Sequence, residues 1–499
     1  MDRRRFLLLS LATSGSLTIG RGALAPAFAA PAEPGASPFG PLLDPDANGL
    51  RLPAGFTARV IKQFGEPIGP STELAMPFPD GAATFPTADG GWILVSNSEN
   101  PPPVDAPDVT GTGITGLGGA QAIVFAPDGT IVDAYSILTG SRSNCAGGAT
   151  PWGTWLSCEE VDDPLDPASS GKVFECDPTG QRPAVDLPAL GRFKHENATV
   201  DPERQQLYLS EDIGDGCFYR FTPARYPDLS DGILEAASVG DDGRVTWLEV
   251  ADPACERGVP CRQQAPATPF DGGEGCVYDD CKVFLTTKGD DRVWMYDVVA
   301  ETMVVLYDAG DFEEPVLTGV DHVIVQPGTG NIVVAEDGGD MQAVMIRRDD
   351  YALFPILQMT GPQHGQQLPS PLDPVPIYSE VSGLAFNPAG DRLYCNSQRG
   401  FVGGVTYEIQ GPWLEALQRP ADGAAGPPTS LPVRPDAGGG RPDGTPGVRP
   451  AAAGTATTLP ATGGTGVSAV GVGAAAGAAG LLALRRRLER RLPDGLPPA

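Results

Sequence analysis

The stretch Glu196-Asn-Ala-Thr-Val-Asp-Pro202, continued by Leu207-Tyr-Leu-Ser-Glu211-Asp212, has an acidic start, a short apolar run, a turn and a second apolar run ending on two carboxylates. The same order returns at Asp321-His-Val-Ile-Val325 and Asn331-Ile-Val-Val-Ala-Glu336-Asp337. Glu196 to Glu211 and Asp321 to Glu336 are both spaced by 15 positions. Short apolar runs bounded by turn residues read as paired β-strands, and their recurrence reads as a repeat architecture.

Four looser copies surround these two. They are Ala83-Thr-Phe-Pro86 with Trp92-Ile-Leu-Val-Ser-Asn97-Ser-Glu99, and Cys145-Ala-Gly-Gly148 with Trp155-Leu-Ser-Cys-Glu159-Glu160. Further on come Glu274-Gly-Cys-Val-Tyr278 with Val283-Phe-Leu-Thr-Thr287, and Ser382-Gly-Leu-Ala-Phe386 with Leu393-Tyr-Cys-Asn396. Aromatic-rich runs such as Cys217-Phe-Tyr-Arg-Phe221 and Arg292-Val-Trp-Met-Tyr296 supply a third strand per unit. Six units of three to four strands predict an all-β fold, a six-bladed β-propeller over 46–418, with disordered N- and C-terminal extensions. The 65 glycines and 52 prolines among 499 residues agree, since they break helices and suit turns.

In such a ring the first strand of each blade leaves the channel mouth and the second returns to it. The unit starts and ends therefore converge, bringing together Glu99, Cys145, Glu159, Glu160, Glu196, Glu211, Asp212, Asp215, Glu274, Asp321, Glu336, Asp337 and Glu380. So many carboxylates at one place call for cations to compensate them. The whole-chain charge of -29 repels a nucleic-acid backbone and excludes non-specific binding to it.

Three histidines without HExxH or paired-His spacing disfavour a zinc hydrolase, and no GxSxG elbow is present. A cysteine-phosphatase loop needs an arginine six residues after Cys145, where Pro151 stands. Of nine cysteines, Cys255 with Cys261 and Cys276 with Cys281 are near enough for local disulfides. Cys145 stands apart: Ala146-Gly147-Gly148 beside it would let the backbone approach a ligand closely.

The two ends carry addressing signals. Arg3-Arg4-Arg5-Phe6-Leu7, an apolar stretch and Ala27-Phe28-Ala29 within 1–30 resemble a twin-arginine export signal, implying the Tat translocase. Residues 419–458 fall to Pro, Gly, Ala, Thr and Arg and read as a stalk. In 459–499, Leu459-Pro-Ala-Thr-Gly463, the apolar span 467–484 and a basic tail resemble a sortase sorting signal. That resemblance implies covalent attachment of Thr462 to peptidoglycan, and hence an exported, wall-bound protein with a transient membrane anchor.

Asn144-Cys-Ala-Gly-Gly-Ala-Thr-Pro-Trp-Gly-Thr-Trp-Leu-Ser-Cys-Glu-Glu160 resembles the signature of the PhoX alkaline phosphatases. The resemblance continues through His195-Glu196, Tyr208-Leu-Ser-Glu-Asp212, Gly273-Glu274-Gly275, Thr286-Thr-Lys-Gly-Asp290, Ala335-Glu-Asp-Gly338 and Gly404-Val-Thr406. It implies a propeller hydrolase of phosphate monoesters using ferric iron (Fe3+) and calcium (Ca2+), working as a monomer. Cys145 would ligate iron. Glu196, Glu274, Glu336 and Asp337 would be the foremost carboxylate ligands, followed by Glu99, Glu159, Glu160, Glu211 and Asp212. Cys145, Asn97 and Glu336 would be the catalytic set, with Asn97 touching phosphate. Two positions depart from the family pattern: Ser98, where a histidine is frequent, and Val334, where members can place an arginine. A calcium-binding propeller without catalysis and a propeller lactonase are the rival readings; neither needs a thiolate ligand.

Overall fold

The computed structural model describes residues 31–100, 118–163, 165–361, 364 and 379–414, so the expected signal, stalk and sorting segments lie outside the described residues. Six sheets follow one another along the chain, antiparallel except where Glu33–Pro34 adds to one of them in parallel. Blade 1 is Pro79–Pro86, Trp92–Ser98, Gly118–Phe125 and Ile131–Ser141. Blade 2 is Asn144–Ala149, Trp155–Glu159, Val173–Cys176 and Val185–Asp186. Blade 3 starts with His195–Asp201, Gln206–Glu211 and Phe218–Arg225, and adds Asp228–Val239 and Val245–Glu249. Blade 4 is Gly273–Asp279, Lys282–Thr287, Arg292–Asp297 and Thr302–Asp308.

Blade 5 is Val320–Val325, Ile332–Glu336, Gln342–Ile346 and Ala352–Met359. Its outer strand also pairs with Glu33–Pro34 and Leu50–Arg51, so the chain joins the ring ahead of Asp46. Blade 6 is Val381–Phe386, Arg392–Ser397 and Val405–Gln410, and its fourth strand is Thr57–Gln63 from near the start of the chain. Pairing an early strand with the last blade closes the ring and protects both sheet edges. Each first strand packs on the first strands of the two neighbouring blades, blade 6 on blade 1 included.

Apolar clusters fill all six spaces between blades. Val95, Ala120 and Trp155 lie between blades 1 and 2, and Leu156, Ala198 and Leu209 between 2 and 3. Tyr208, Phe218 and Val283 lie between blades 3 and 4, and Phe284, Val323 and Val334 between 4 and 5. Val333, Met345 and Leu393 lie between blades 5 and 6, and Ile61, Leu94 and Tyr394 between 6 and 1. The alternation that sends side chains to both faces of each strand thus feeds two neighbouring interfaces.

Every first strand carries a register irregularity near its start. In blades 1 to 5 it follows the opening pairs Pro79 with Ser98, Asn144 with Glu159, His195 with Glu211, Gly273 with Thr287 and Val320 with Glu336. In blade 6 it follows Ser382 with Asn396. A bulge inserts residues without partners and re-aims their side chains. The residues released in blades 1 to 5 are Asp80-Gly81, Cys145-Ala146, Glu196-Asn197, Glu274-Gly275 and Asp321-His322. In blades 1 and 4 the second of the pair lies close to the next inner strand: a Cβ on Gly81 would collide with Ala146, and one on Gly275 would stand 2.5 Å from Val323 N. The blade 1 strand therefore starts four residues before Ala83, the start read from the sequence.

Candidate metal centre

The first residue of each bulge in blades 1 to 5 is Asp80, Cys145, Glu196, Glu274 and Asp321. A second ring comes from the residue just after each second strand: Glu99, Glu160, Asp212, Lys288, Asp337 and Gln398. Members of the two rings, with Glu380 just ahead of the first strand of blade 6, make four adjoining groups, each with ligand atoms within 4.8 Å of one another. They are Asp80, Glu99 and Cys145; Cys145, Glu160 and Glu196; Glu196, Glu274 and Asp321; and Asp321, Asp337 and Glu380.

Cys145 is at the joint between the first two groups. Its sulfur lies 3.0 Å from Asp80 Oδ2 and 3.1 Å from Glu196 Oε1, and its one S–H can donate to either. Burial, then the charges of Asp80 and Glu196, push the thiol well above its ordinary range. Burial likewise raises Glu99, Glu196, Glu274, Asp321 and Glu380 well above the usual carboxylate range, helped in each by a neighbouring carboxylate. Burial and mutual repulsion thus work against the charged forms, and a further cation would favour them.

Three protein cations enter the cluster. Lys194 Nζ is 2.6 Å from Glu160 and 2.5 Å from Asp212. Lys288 Nζ is 2.8 Å from Glu274 and 3.2 Å from Asp337, and Arg399 is 2.7 Å from Glu380. Asp212 and Asp337 are accordingly held low despite burial, Asp212 by Lys194 and Asp337 by Lys288. The nine carboxylates Asp80, Glu99, Glu160, Glu196, Asp212, Glu274, Asp321, Asp337 and Glu380 still outnumber the three cations. At this centre Glu196 Oε2 and Gln398 Oε1 are buried oxygens with neither a hydrogen-bond donor nor an ion-pair partner among the described residues. A sulfur donor beside carboxylate oxygens and an unpartnered buried oxygen fits a centre that combines a transition metal with hard cations.

Three of the expected ligands do not face this centre. Glu159 accepts the backbone N–H groups of Arg142 at 3.0 Å and Lys172 at 3.2 Å. Glu211 accepts from Cys217 N and the Tyr219 hydroxyl and pairs with Arg262 at 3.0 Å. Glu336, expected to be both ligand and catalytic group, accepts Thr318 N and Gln342 N, each at 2.9 Å. In each exit pair the first carboxylate ties loops to its own blade, and the second, Glu160, Asp212 or Asp337, turns to the channel. Strand alternation imposes this division, because neighbours in an extended chain point to opposite sides. The expected positions Cys145, Glu99, Glu160, Glu196, Asp212, Glu274 and Asp337 are brought together.

Asn97 is also reassigned. Its amide donates to Cys145 O at 3.1 Å and Ala146 O at 2.8 Å, while its oxygen accepts from Trp155 Nε1 and Ser157 Oγ at 2.9 Å. Fully buried with both ends engaged, it fixes the bulge that presents Cys145 and has nothing left for phosphate. Gly147 and Gly148 are small because their neighbours are the carbonyls of Leu156 and Ala198, and protein backbone, not ligand, occupies that space. Ser98 donates to Pro77 O at 2.5 Å, and Val334 lies in the apolar space between blades 4 and 5, so neither departure alters the mouth directly. Asp215 is largely exposed and pairs with Arg262 outside the four groups. Asp80 is a ring member that reading the sequence missed; its signal was Pro79-Asp80-Gly81, which matches Asn144-Cys145-Ala146 once the bulges are aligned.

Residues 109–305 match the family model of alkaline phosphatase PhoX. That segment contains Cys145, Glu160, Glu196, Asp212 and Glu274 of the centre. Among solved structures, the chain resembles Pseudomonas fluorescens PhoX in complex with vanadate, described there as a transition state analogue. The identity is 16%, the TM-score 0.59, and the match covers 74% of this chain and 97% of that one. At that identity the PhoX structure establishes a shared fold. A gluconolactonase from Xanthomonas campestris is more distant, at 13% identity and TM-score 0.38, covering 75% of this chain and 98% of its own. No curated protein sequence matches the chain.

Proposed function

We propose that this protein is a metal-dependent alkaline phosphatase that hydrolyses phosphate monoesters at the mouth of the propeller. The observation that carries the reading is Cys145, a thiol within reach of carboxylates from three blades, inside the segment that matches the PhoX model. Cys145 with Asp80, Glu99, Glu160 and Glu196 would hold iron; the oxygen-only side, Glu274, Asp321, Asp337 and Glu380, suits calcium. Bound cations would supply the positive charge that a phosphate dianion and an in-line displacement require, in a site whose own residues are mostly negative. The chain's own part is to set the ligands. Asn97 anchors the Cys145 bulge, and Lys194, Lys288 and Arg399 hold carboxylates of neighbouring blades in register.

Cys145→Ser nearly conserves volume and should leave the thermal midpoint within a few degrees, while iron content and turnover of an aryl phosphate are lost. Cys158→Ser, on a buried strand of blade 2, should keep both. Full activity in Cys145→Ser would overturn the assignment. We also infer Tat export and wall attachment through Thr462, from the two terminal motifs. Thr462→Ala should shift the protein from the peptidoglycan fraction to membrane or medium, and unchanged wall attachment would exclude sortase.

A further inference from the structure

We propose that Cys255 and Cys261 form an intramolecular disulfide that fastens the segment 252–264 at the rim of the mouth. This inference stands apart from the hydrolytic reading and does not require it. The two sulfurs lie 3.6 Å apart, and this is the one cysteine pair in sulfur–sulfur contact among the described residues. The other local pair open from sequence spacing is not formed: Cys276 donates to Tyr208 O at 3.5 Å instead.

The segment is built to bring these thiols together. Gln264 ties its two ends, accepting from Asp252 N and donating to Asp252 O, both at 2.8 Å. Asp252 accepts from Glu256 N at 3.2 Å and from Arg257 N at 2.9 Å, and Cys255 takes a left-handed φ of 53° to make the turn. Residues 256–259 are exposed, whereas both cysteines turn inward against Leu190, Phe193 and Tyr219. Apart from the short helical turn Cys261–Gln263, the segment has no helix or strand of its own to hold it. A disulfide needs sulfurs at about 2.05 Å, a closure of about 1.5 Å that side-chain rotation can supply.

What the segment carries is Arg262, next to Cys261. Its guanidinium reaches Glu211 at 3.0 Å, Asp162 at 3.1 Å and Asp215 at 3.1 Å, joining the loops of blades 2 and 3 beside Glu160 and Asp212. The hydrogen bond from Cys261 lowers the Cys255 thiol, which makes Cys255 the better attacking group. Both thiols are buried in the closed segment, so the exchange runs when 252–264 swings open: the Cys255 thiolate attacks an external disulfide, RS–SR, and expels one RS⁻. The Cys261 thiolate then attacks the Cys255 sulfur of the mixed disulfide and expels the second. Two cysteine thiols are oxidised, one external disulfide is reduced to two thiols, and the two cysteine protons pass to the leaving thiolates.

The full chain is incubated with oxidised or with reduced glutathione, denatured, and its thiols counted by alkylation and mass. Nine thiols are expected after reduction and seven after oxidation, with peptide mapping placing the link at Cys255–Cys261. Nine thiols in both states, or a link between other cysteines, would overturn the proposal. Cys255→Ser should keep eight thiols in both states. In the wild type, reduction should speed amide exchange across 252–264 while the blade strands stay protected, and lower the thermal midpoint by about 3 °C. Unchanged exchange in that segment would show that the link fastens nothing there.

Discussion

Glu336 and Asp337 are adjacent acidic residues with opposite duties. Glu336 satisfies two backbone donors within blade 5, whereas Asp337 faces Lys288 and the groups of the centre. Glu336→Gln places an amide N–H against a backbone N–H and should cost about 1–3 kcal/mol of stability. Its metal content per folded molecule should not change. Asp337→Asn should behave the opposite way, with reduced metal content and, when both proteins are compared under chelator, a urea midpoint near that of the wild type. Parallel denaturation and elemental analysis check the pair, and exchanged phenotypes would reverse the assignment. Glu159–Glu160 and Glu211–Asp212 follow the same rule.

The strand Thr57–Gln63 closes the ring on blade 6, and it carries two charged residues into that seam. Arg59 pairs with Glu408, which also receives Arg392 and the Tyr394 hydroxyl. Lys62 is different: it is buried with one hydrogen bond, to Ser96 Oγ at 3.1 Å, and burial lowers it to about 7 from 10.5. Between those values the unfolded chain binds the proton and the folded one does not, so stability rises with pH across that window. Below about 7 both states are protonated and the full penalty of burying the charge applies. Lys62→Met should therefore be more stable than wild type at pH 7, by on the order of 2 kcal/mol, and the gap should shrink towards pH 10. Urea midpoints at the two pH values measure it; a gap that widens with pH would show that the lysine is not the cause.

Across the whole molecule the blades converge more negative charge on one mouth than their own lysines and arginine offset. Bound cations then contribute to folding as well as to the site, since anything that binds only the native state stabilises it. A chelator should lower the thermal midpoint by about 5 °C or more, and added calcium should restore part of that loss. Equal midpoints with chelator and with calcium would mean that the carboxylates meet their burial cost by holding protons alone.

The repeat at Glu196 and Asp321 together with its four looser copies indicated six blades, because a two-strand unit of this kind buries its faces by stacking on copies of itself. Cys145, Glu196 and Glu274 were legible for the same reason, each standing at the start of a unit. Which carboxylate of Glu159–Glu160, Glu211–Asp212 and Glu336–Asp337 turns to the channel was not legible, since both belong to one motif and the side is set by where the strand ends. Asp80 escaped because a bulge displaces its blade's start relative to the apolar run. Cys255–Cys261 was one of two local pairings open from the sequence until the fold turned Cys276 to Tyr208 O instead of Cys281. Spacing along a chain records which residues recur together; only the closed ring, by fixing strand register and bulge position, decides which of their side chains meet.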